Sequence, residues 1–442
     1  MRALLVLALA LLVGCGGNDP PPGSTLEATL VDRDGDGFLE RGPAEPLLDR
    51  APRARPGRTL ATFAQLTDLH VRDEESPARV PFLDRTGPPF TSTFRPQEAF
   101  STQVLDAAVR ALNRERPQAV FVTGDITDNA QRNERAQALA TLDGRRVDPD
   151  SGARGYDGVQ HADSADPFYY RPDHDAPAHP GALDRAQRPF TAEGLRAPYH
   201  LLAGNHDVLA QGEVPPTPAI NAFATGGELV TAIDPRIDPS SVDPDVAVQG
   251  LLENRFGLET TPTPPDPERR LDARFATHAA ADVGPHVRAL LVDTVNREGT
   301  SRARVTPEQL ARLDAQLRAT RRHVVVFSHN ALPEEALAVL DAHPHVVAAV
   351  SGNSHRNRIA RRGRYWLIST SSLADFPQQA RMFRLRETDR GVALETWMVD
   401  HDGAGLAGIA RELAYLDAQG GRPQGFAGAR RDRNARLFVA RR

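Results

Sequence analysis

Five short polar motifs, each closing an apolar run, occur in one fixed order along the chain. They are Asp68-Leu69-His70, Gly124-Asp125, Gly204-Asn205-His206-Asp207, Ser328-His329-Asn330 and Gly352-Asn353-Ser354-His355. The runs ahead of them, residues 60–66, 119–122, 199–203, 323–327 and 346–350, have the length and apolar content of buried strands. Strands that end in Asp, Asn and His place those side chains along one edge of a sheet, where an open α/β sheet holds its ligands. Helical spacing alternates with the strands. Phe100, Val104, Ala108 and Leu112 predict a helix within 96–116, and residues 129–142 read as a polar helix. Thr306-Pro307-Glu308-Gln309 reads as N-cap, N1 proline and capping-box Gln ahead of Leu310, Leu313 and Leu317. Further strands are predicted at 287–292, 365–368, 382–385 and 392–398. The pattern predicts an α/β sandwich with its site at one edge.

Two stretches, 144–197 and 208–284, are rich in Pro, Asp and Gly and weakly periodic. They read as insertions flanking the site. His161, His174, His179 and His278 fall there and read as solvated loop histidines. At 442 residues and 40% apolar content, the chain suits one large domain with insertions. The domain is expected at 59–400, with 401–442 as an extension packing on it. Net charge is −5, so no nucleic-acid partner is expected. Every one of the 53 basic residues is Arg, which codon usage accounts for. Arg72 and Arg356 follow candidate ligands closely. Each reads either as a phosphate contact or as a solvated or ion-paired side chain.

The N-terminus carries its own signal. Met1-Arg2 precedes an apolar run at 3–13, too short to span a bilayer but right for a signal core. It ends at Leu12-Val13-Gly14-Cys15, which resembles the bacterial lipobox. That resemblance implies removal of the leader, lipidation of Cys15, export to the cell envelope and membrane attachment through the lipid alone. An ordinary secretory signal is the alternative. Cys15 is the single cysteine, so intrachain disulfides are excluded. Residues 16–58 read as a tether. Within it Asp32, Asp34, Asp36, Gly37 and Glu40 look like the start of a calcium loop, but Pro43 stands where a full loop needs its bidentate Glu. A structural calcium and a plain acidic turn are both open.

A two-metal hydrolytic centre needs one ligand shared by both ions, and Asp125 suits that role. Asp68 and His70 supply an oxygen and a nitrogen from one strand end, Asn205 an amide oxygen, and His329 and His355 two imidazoles. Mixed N/O donors without thiolate suit Mn, Fe or Zn. Two such ions about 3.5–4 Å apart would hold a hydroxide between them and clamp a phosphoryl oxygen.

The ordered motifs resemble the calcineurin-like metallophosphoesterase superfamily over residues 61–398. The resemblance implies two mixed β-sheets flanked by helices. It implies one metal on Asp68, His70, Asp125 and His355, and another on Asp125, Asn205, His329 and residue 353. A bridging hydroxide is then the nucleophile. His206 matches the family's catalytic histidine, which hydrogen-bonds the phosphate or protonates the leaving group, and Asp207 would orient it. One position departs, since the family's Gly-His-x-His is here Gly352-Asn353-Ser354-His355. Three readings follow: Asn353 ligates and shifts preference toward Mn, the second site is weak, or turnover is lost. Asp128 stands where the purple acid phosphatase branch has a Tyr ligand, which argues against that branch. The implied activity is hydrolysis of small phosphate esters, with diesters favoured by likeness to small bacterial phosphodiesterases. The alternative is a surface-anchored binding lipoprotein on a degraded phosphoesterase scaffold. Oligomeric state has no signal in the sequence.

Overall fold

The computed structural model describes residues 23–441, apart from 51–53, 88–89, 91, 235, 239–243, 255–256, 273, 276–278 and 418–421. Cys15, the leader and His278 lie outside the described residues. Two sheets form the frame. Their strands, in chain order, are β1 (Leu48–Arg50), β2 (Pro56–Leu66), β3 (Val120–Thr123), β4 (Tyr199–Leu202), β5 (Ala280–Val283), β6 (Val287–Val292), β7 (His323–Ser328), β8 (Val346–Ser351), β9 (Arg358–Arg362), β10 (Tyr365–Ser369), β11 (Gln379–Thr388), β12 (Gly391–Asp400) and β13 (Ala435–Ala440). The seven-stranded sheet runs β1-β13-β12-β11-β2-β3-β4 and the six-stranded sheet β5-β6-β7-β8-β10-β9. Strands β2, β3 and β4 are parallel, as are β6, β7, β8 and β10, while β11, β12 and β13 pair antiparallel.

Alternation along β3 shows how the layers form. Phe121 faces the partner sheet, while Val120 and Val122 face the helix layer. All four residues of β3 and all six of β8 are buried, as expected for parallel strands covered on both faces. Between the sheets, Phe121 stacks on Phe327 at 4.3 Å and Phe63 on Phe383 at 5.1 Å. Helices Ser101–Glu115 and Leu406–Leu416 cover the larger sheet, with Leu105, Leu112, Trp397 and Leu413 in one cluster. Helices Pro307–Arg318 and Glu334–Asp341 cover the smaller one. The fold is therefore an α/β sandwich of two mixed sheets flanked by helices. Thr306 and Gln309 close the capping box expected there. Among the described residues, no helix is long and apolar enough to cross a membrane.

Differences from the sequence reading lie at the ends and in the insertions. Residues 401–441, expected as an extension packed on the domain, supply β13, an interior strand of the larger sheet. The tether region also joins it. β1 pairs with β13, and the Thr25 hydroxyl donates to the Met398 carbonyl at 2.8 Å. A three-residue strand carries no periodicity, so its partner alone reveals it. Within 208–284, helices Pro218–Ala224 and Pro244–Asn254 and the paired strands Glu228–Ile233 and Leu258–Pro262 form a small layer. Ile220, Phe223, Val230 and Leu252 pack there with Phe82 and Leu83 from the main chain path. These elements are too short, and too often cut by Pro, for periodicity to show.

Candidate metal centre

The C-terminal ends of the parallel strands meet at one rim and converge the five motifs. The His70 amide donates to the Asp125 carbonyl at 2.9 Å, Gly352 to His329 at 2.8 Å, and Asn353 to Asp68 Oδ1 at 2.9 Å. Two glycines make this approach possible. A Cβ on Gly204 would come within 2.3 Å of Asp125 Oδ1, and one on Gly352 within 2.5 Å of Asp68 Oδ2. Asp68, His70, Asp125, Asn353 and His355 all adopt positive φ, between 43° and 59°. Such backbone costs roughly 1–3 kcal/mol per residue and clusters where side chains must be aimed.

With their imidazoles neutral, as metal ligands must be, the side chains converge as acceptors without donors. The His329 ring has Nδ1 at 2.9 Å from the Thr123 carbonyl, so that nitrogen donates. Its Nε2 then points a lone pair at Asp125 Oδ2 and Asn205 Oδ1, each 3.1 Å away. Asn205 cannot relieve this, because its amide nitrogen donates to the Gly212 carbonyl at 3.0 Å. A matching set faces it. His70 Nδ1 binds Asp128 Oδ1 at 3.0 Å and His355 Nδ1 binds Asp375 Oδ2, which turns their two Nε2 atoms toward each other at 3.3 Å. His355 Nε2 is also 3.4 Å from Asp68 Oδ1. Ligand atoms of Asp68, His70, Asp125 and His355 all lie within 4.8 Å of one another. Asp125 Oδ2 is 3.8 Å from His70 Nε2 and so touches both sets. Buried lone pairs aimed at lone pairs call for cations, and this donor set fits two. The Asn353 side chain lines the cleft but makes no hydrogen bond among the described residues.

Protons report the same demand. Burial opposes charge on His329, yet Asp125 beside it pushes its pKa up to about 10. Burial likewise opposes charge on His355, yet Asp68 and Asp375 push it up to about 9. The same pairings hold Asp68 and Asp125 below the usual carboxyl range despite their burial. His70 goes the other way: burial lowers it to about 4. Cation binding must therefore displace protons from His329 and His355 but not from His70. Affinity should rise with pH between 6 and 8, by up to about 100-fold per unit if both protons leave. Calorimetric titration with Mn in buffers of different ionisation enthalpy counts the released protons. A pH-independent affinity would sink this assignment.

Sequence reasoning missed the groups behind the histidines. Asp128 holds His70 and is itself held by Arg79 Nε at 2.9 Å. Asp375 holds His355 and takes Arg95 Nε at 2.8 Å. Both carboxylates fix a ring tautomer, and such partners are worth about 10–100-fold in metal affinity. Asp375→Asn should accordingly weaken the cation at His355 by that factor, measured by competition with a chromogenic chelator. Unchanged affinity would make the contact incidental.

One expected role is corrected, and two open ones are decided. Asp207 does not reach the His206 ring. Its Oδ1 accepts from the amides of Ile126 and Thr127 at 2.9 and 2.8 Å and its Oδ2 from Gly204 at 2.8 Å, so it staples the Gly124–Thr127 turn. Burial and neighbouring Asp125 push its pKa up to about 7. The His206 ring is oriented instead by the Asp128 carbonyl, 2.6 Å from Nδ1, and lies edge-on to His70 at 4.7 Å. Arg72 is buried and ion-paired with Glu98, away from the cleft. Arg356 is exposed and lines a neighbouring apolar groove. The guanidinium that does line the cleft is Arg95. In the N-terminal loop, Asp32, Asp34 and Asp36 come within 4.8 Å of one another, while Glu40 pairs with Arg33 at 3.4 Å.

No protein-family model and no curated protein sequence matches this chain. It is similar to a solved dimetal phosphatase from Danio rerio at 15% identity, covering 78% of this chain and 97% of that one, with a TM-score of 0.40. A purple acid phosphatase from yellow lupin (Lupinus luteus) seeds aligns at 11% identity over 78% of this chain and 52% of that one, TM-score 0.31. A putative 5'-nucleotidase from Staphylococcus aureus aligns at 11% identity over 79% of this chain and 58% of that one, TM-score 0.29. At such identities and TM-scores, function has to be read from the side chains of the site itself.

Proposed function

We propose that this chain hydrolyses phosphoric esters at a two-cation centre and prefers small phosphodiesters. The observation that carries the reading is the convergence of His329 Nε2, Asp125 Oδ2 and Asn205 Oδ1 at 3.1 Å, where only a proton or a cation can hold them together, beside the His70–His355 pair. Asp68, His70 and His355 hold one cation, Asn205 and His329 the other, and Asp125 is shared. Bound there, two cations supply Lewis-acid charge for a phosphoryl oxygen and lower the pKa of an attacking water. His206, anchored through Nδ1, presents its ring to the cleft and serves the leaving-group oxygen by hydrogen bond or proton transfer.

Charge in the cleft favours diesters. Its volume is about 280 Å³, and apart from the histidines its one cationic side chain among the described residues, Arg95, is already bonded to Asp375. Glu213 adds a carboxylate to the lining. Beyond the two cations, no unpaired guanidinium among the described residues is left for the second charge of a monoester, so a monoanionic diester suits the cleft better. The test is hydrolysis of bis-p-nitrophenyl phosphate against p-nitrophenyl phosphate with Mn, Fe and Zn. Metal-dependent turnover faster on the diester is expected, and silence on both esters with every metal would defeat the proposal.

Asn353 keeps a second reading in play, a binding lipoprotein on a weakened scaffold. Without its side chain, the second cation has only Asp125, Asn205 and His329. Asn353→His should raise affinity at that position roughly tenfold or more, read as metal per chain and as turnover. A silent wild type beside an active Asn353→His chain would establish the second reading. Equal metal content in both would place residue 353 outside the coordination.

A further inference from the structure

A larger cavity, about 810 Å³, opens at the other end of the smaller sheet. Strands β6, β7 and β8 begin there, at Val287, His323 and Val346, and run toward the metal centre. Six residues of strand span about 20 Å, so the two sites are separate.

The walls of this basin carry four guanidinium groups (Arg58, Arg318, Arg321 and Arg441) and four histidines against one carboxylate, Glu387. That is a local reversal in a chain of net charge −5. Ion pairing consumes only part of it. Glu387 takes Arg58 at 2.9 Å, and Asp314 takes both Arg318 and His343 at 2.8 Å. Arg321 and Arg441 are exposed and have no carboxylate partner among the described residues. His286 and His323 stand at the mouth, joined where the His323 amide donates to the His286 carbonyl at 3.0 Å. Burial, and then the nearby His286, push the His323 pKa below its ordinary value, and Glu387 only partly offsets them. The floor is apolar, with Leu60, Leu317, Val347, Val392 and Val439 buried beneath the charged rim.

Unopposed guanidinium forks suit phosphate oxygens, and an apolar floor suits a carbon skeleton. The volume lies in the range of small-molecule sites. We propose that this basin binds an organic phosphate, with its phosphate between Arg321 and Arg441 and its carbon portion on the floor. A soluble organophosphate and an anionic lipid headgroup share that chemistry. The proposal is independent of the reaction at the metal centre.

The test compares the whole chain with an Arg321→Ala/Arg441→Ala chain, both carrying Cys15→Ser so that no lipid anchor contributes. One arm titrates phenylphosphonate, which the metal centre cannot hydrolyse, by calorimetry. The other measures co-sedimentation with phosphatidylglycerol vesicles. Binding in at least one arm, weakened about tenfold or more by the double substitution, is expected from two lost charge-assisted contacts. Hydrolysis at the metal centre should be unchanged. Phenylphosphonate binding alone identifies a soluble ligand, and vesicle binding alone a headgroup. No binding in either arm at millimolar probe, or equal binding by both chains, overturns the proposal. Both arginines are exposed, so their removal does not threaten folding.

Discussion

Asp125→Ala should purify with less than one transition metal per chain and lose about 10³-fold or more in kcat/KM on a diester substrate. Among the described residues, Asp125 is the side chain that touches both donor sets, with Oδ2 at 3.1 Å from His329 and 3.8 Å from His70. Its other oxygen accepts from the His206 amide at 2.9 Å, so the substitution also loosens the turn that carries His206. His329 owes its raised pKa to this carboxylate. Without it the largest upward influence on the ring is lost, leaving Asp68 and the Thr123 carbonyl, and the charge that attracts a second cation is gone. Elemental analysis beside kinetics decides the matter. Asp125→Asn separates the two roles, since its amide oxygen can still accept from His206 but brings no negative charge. A variant that keeps two metals and wild-type turnover would remove Asp125 from the centre.

Phe327→Ala should cost about 3–5 kcal/mol of unfolding free energy, the range for truncating a buried aromatic. Phe327 is fully buried between the sheets. It stacks on Phe121 at 4.3 Å and meets Phe63 and Phe383 edge-on at 6.2 and 6.5 Å. Among the described residues, no other ring of the smaller sheet meets all three of those partners. The effect should reach the site as well, because Ser328 and His329 follow directly on the same strand and His329 depends on its seating to meet Asp125. Denaturant unfolding measures the first effect and metal affinity the second. A loss below about 1 kcal/mol would mean that the interface repacks around the gap and that the aromatic cluster does not clamp the sheets.

Most of the candidate donor set was legible because each of these residues closes an apolar run. A strand that stops at Thr123-Gly124-Asp125 must put Asp125 at a sheet edge, and five such ends in order leave few arrangements. Roles that depend on direction were not legible. Asp207 follows His206 and was expected to pair with its ring, but consecutive residues in a tight turn point apart, and Asp207 found the free amides of Ile126 and Thr127. Arg72 stands two residues after His70 and read equally as a phosphate contact or an ion pair, and only the fold shows that the chain turns it inward to Glu98. Asp375 had no signal at all. It sits in a loop without a motif and matters only because it lies across the site from His355.

By itself, the sequence determined the α/β class, the strand ends, the candidate donors and the departure at Asn353, because periodicity and residue chemistry are local properties of the chain. Only the tertiary structure decided which lone pairs face one another, which carboxylates stand behind His70 and His355, and where the basic basin opens at the far end of the smaller sheet. The same is true of β1 and β13, which pair across nearly the whole chain. Each of these rests on contacts between residues distant in sequence. Their energies depend on distance and on exclusion of water, and neither exists until the two sheets close.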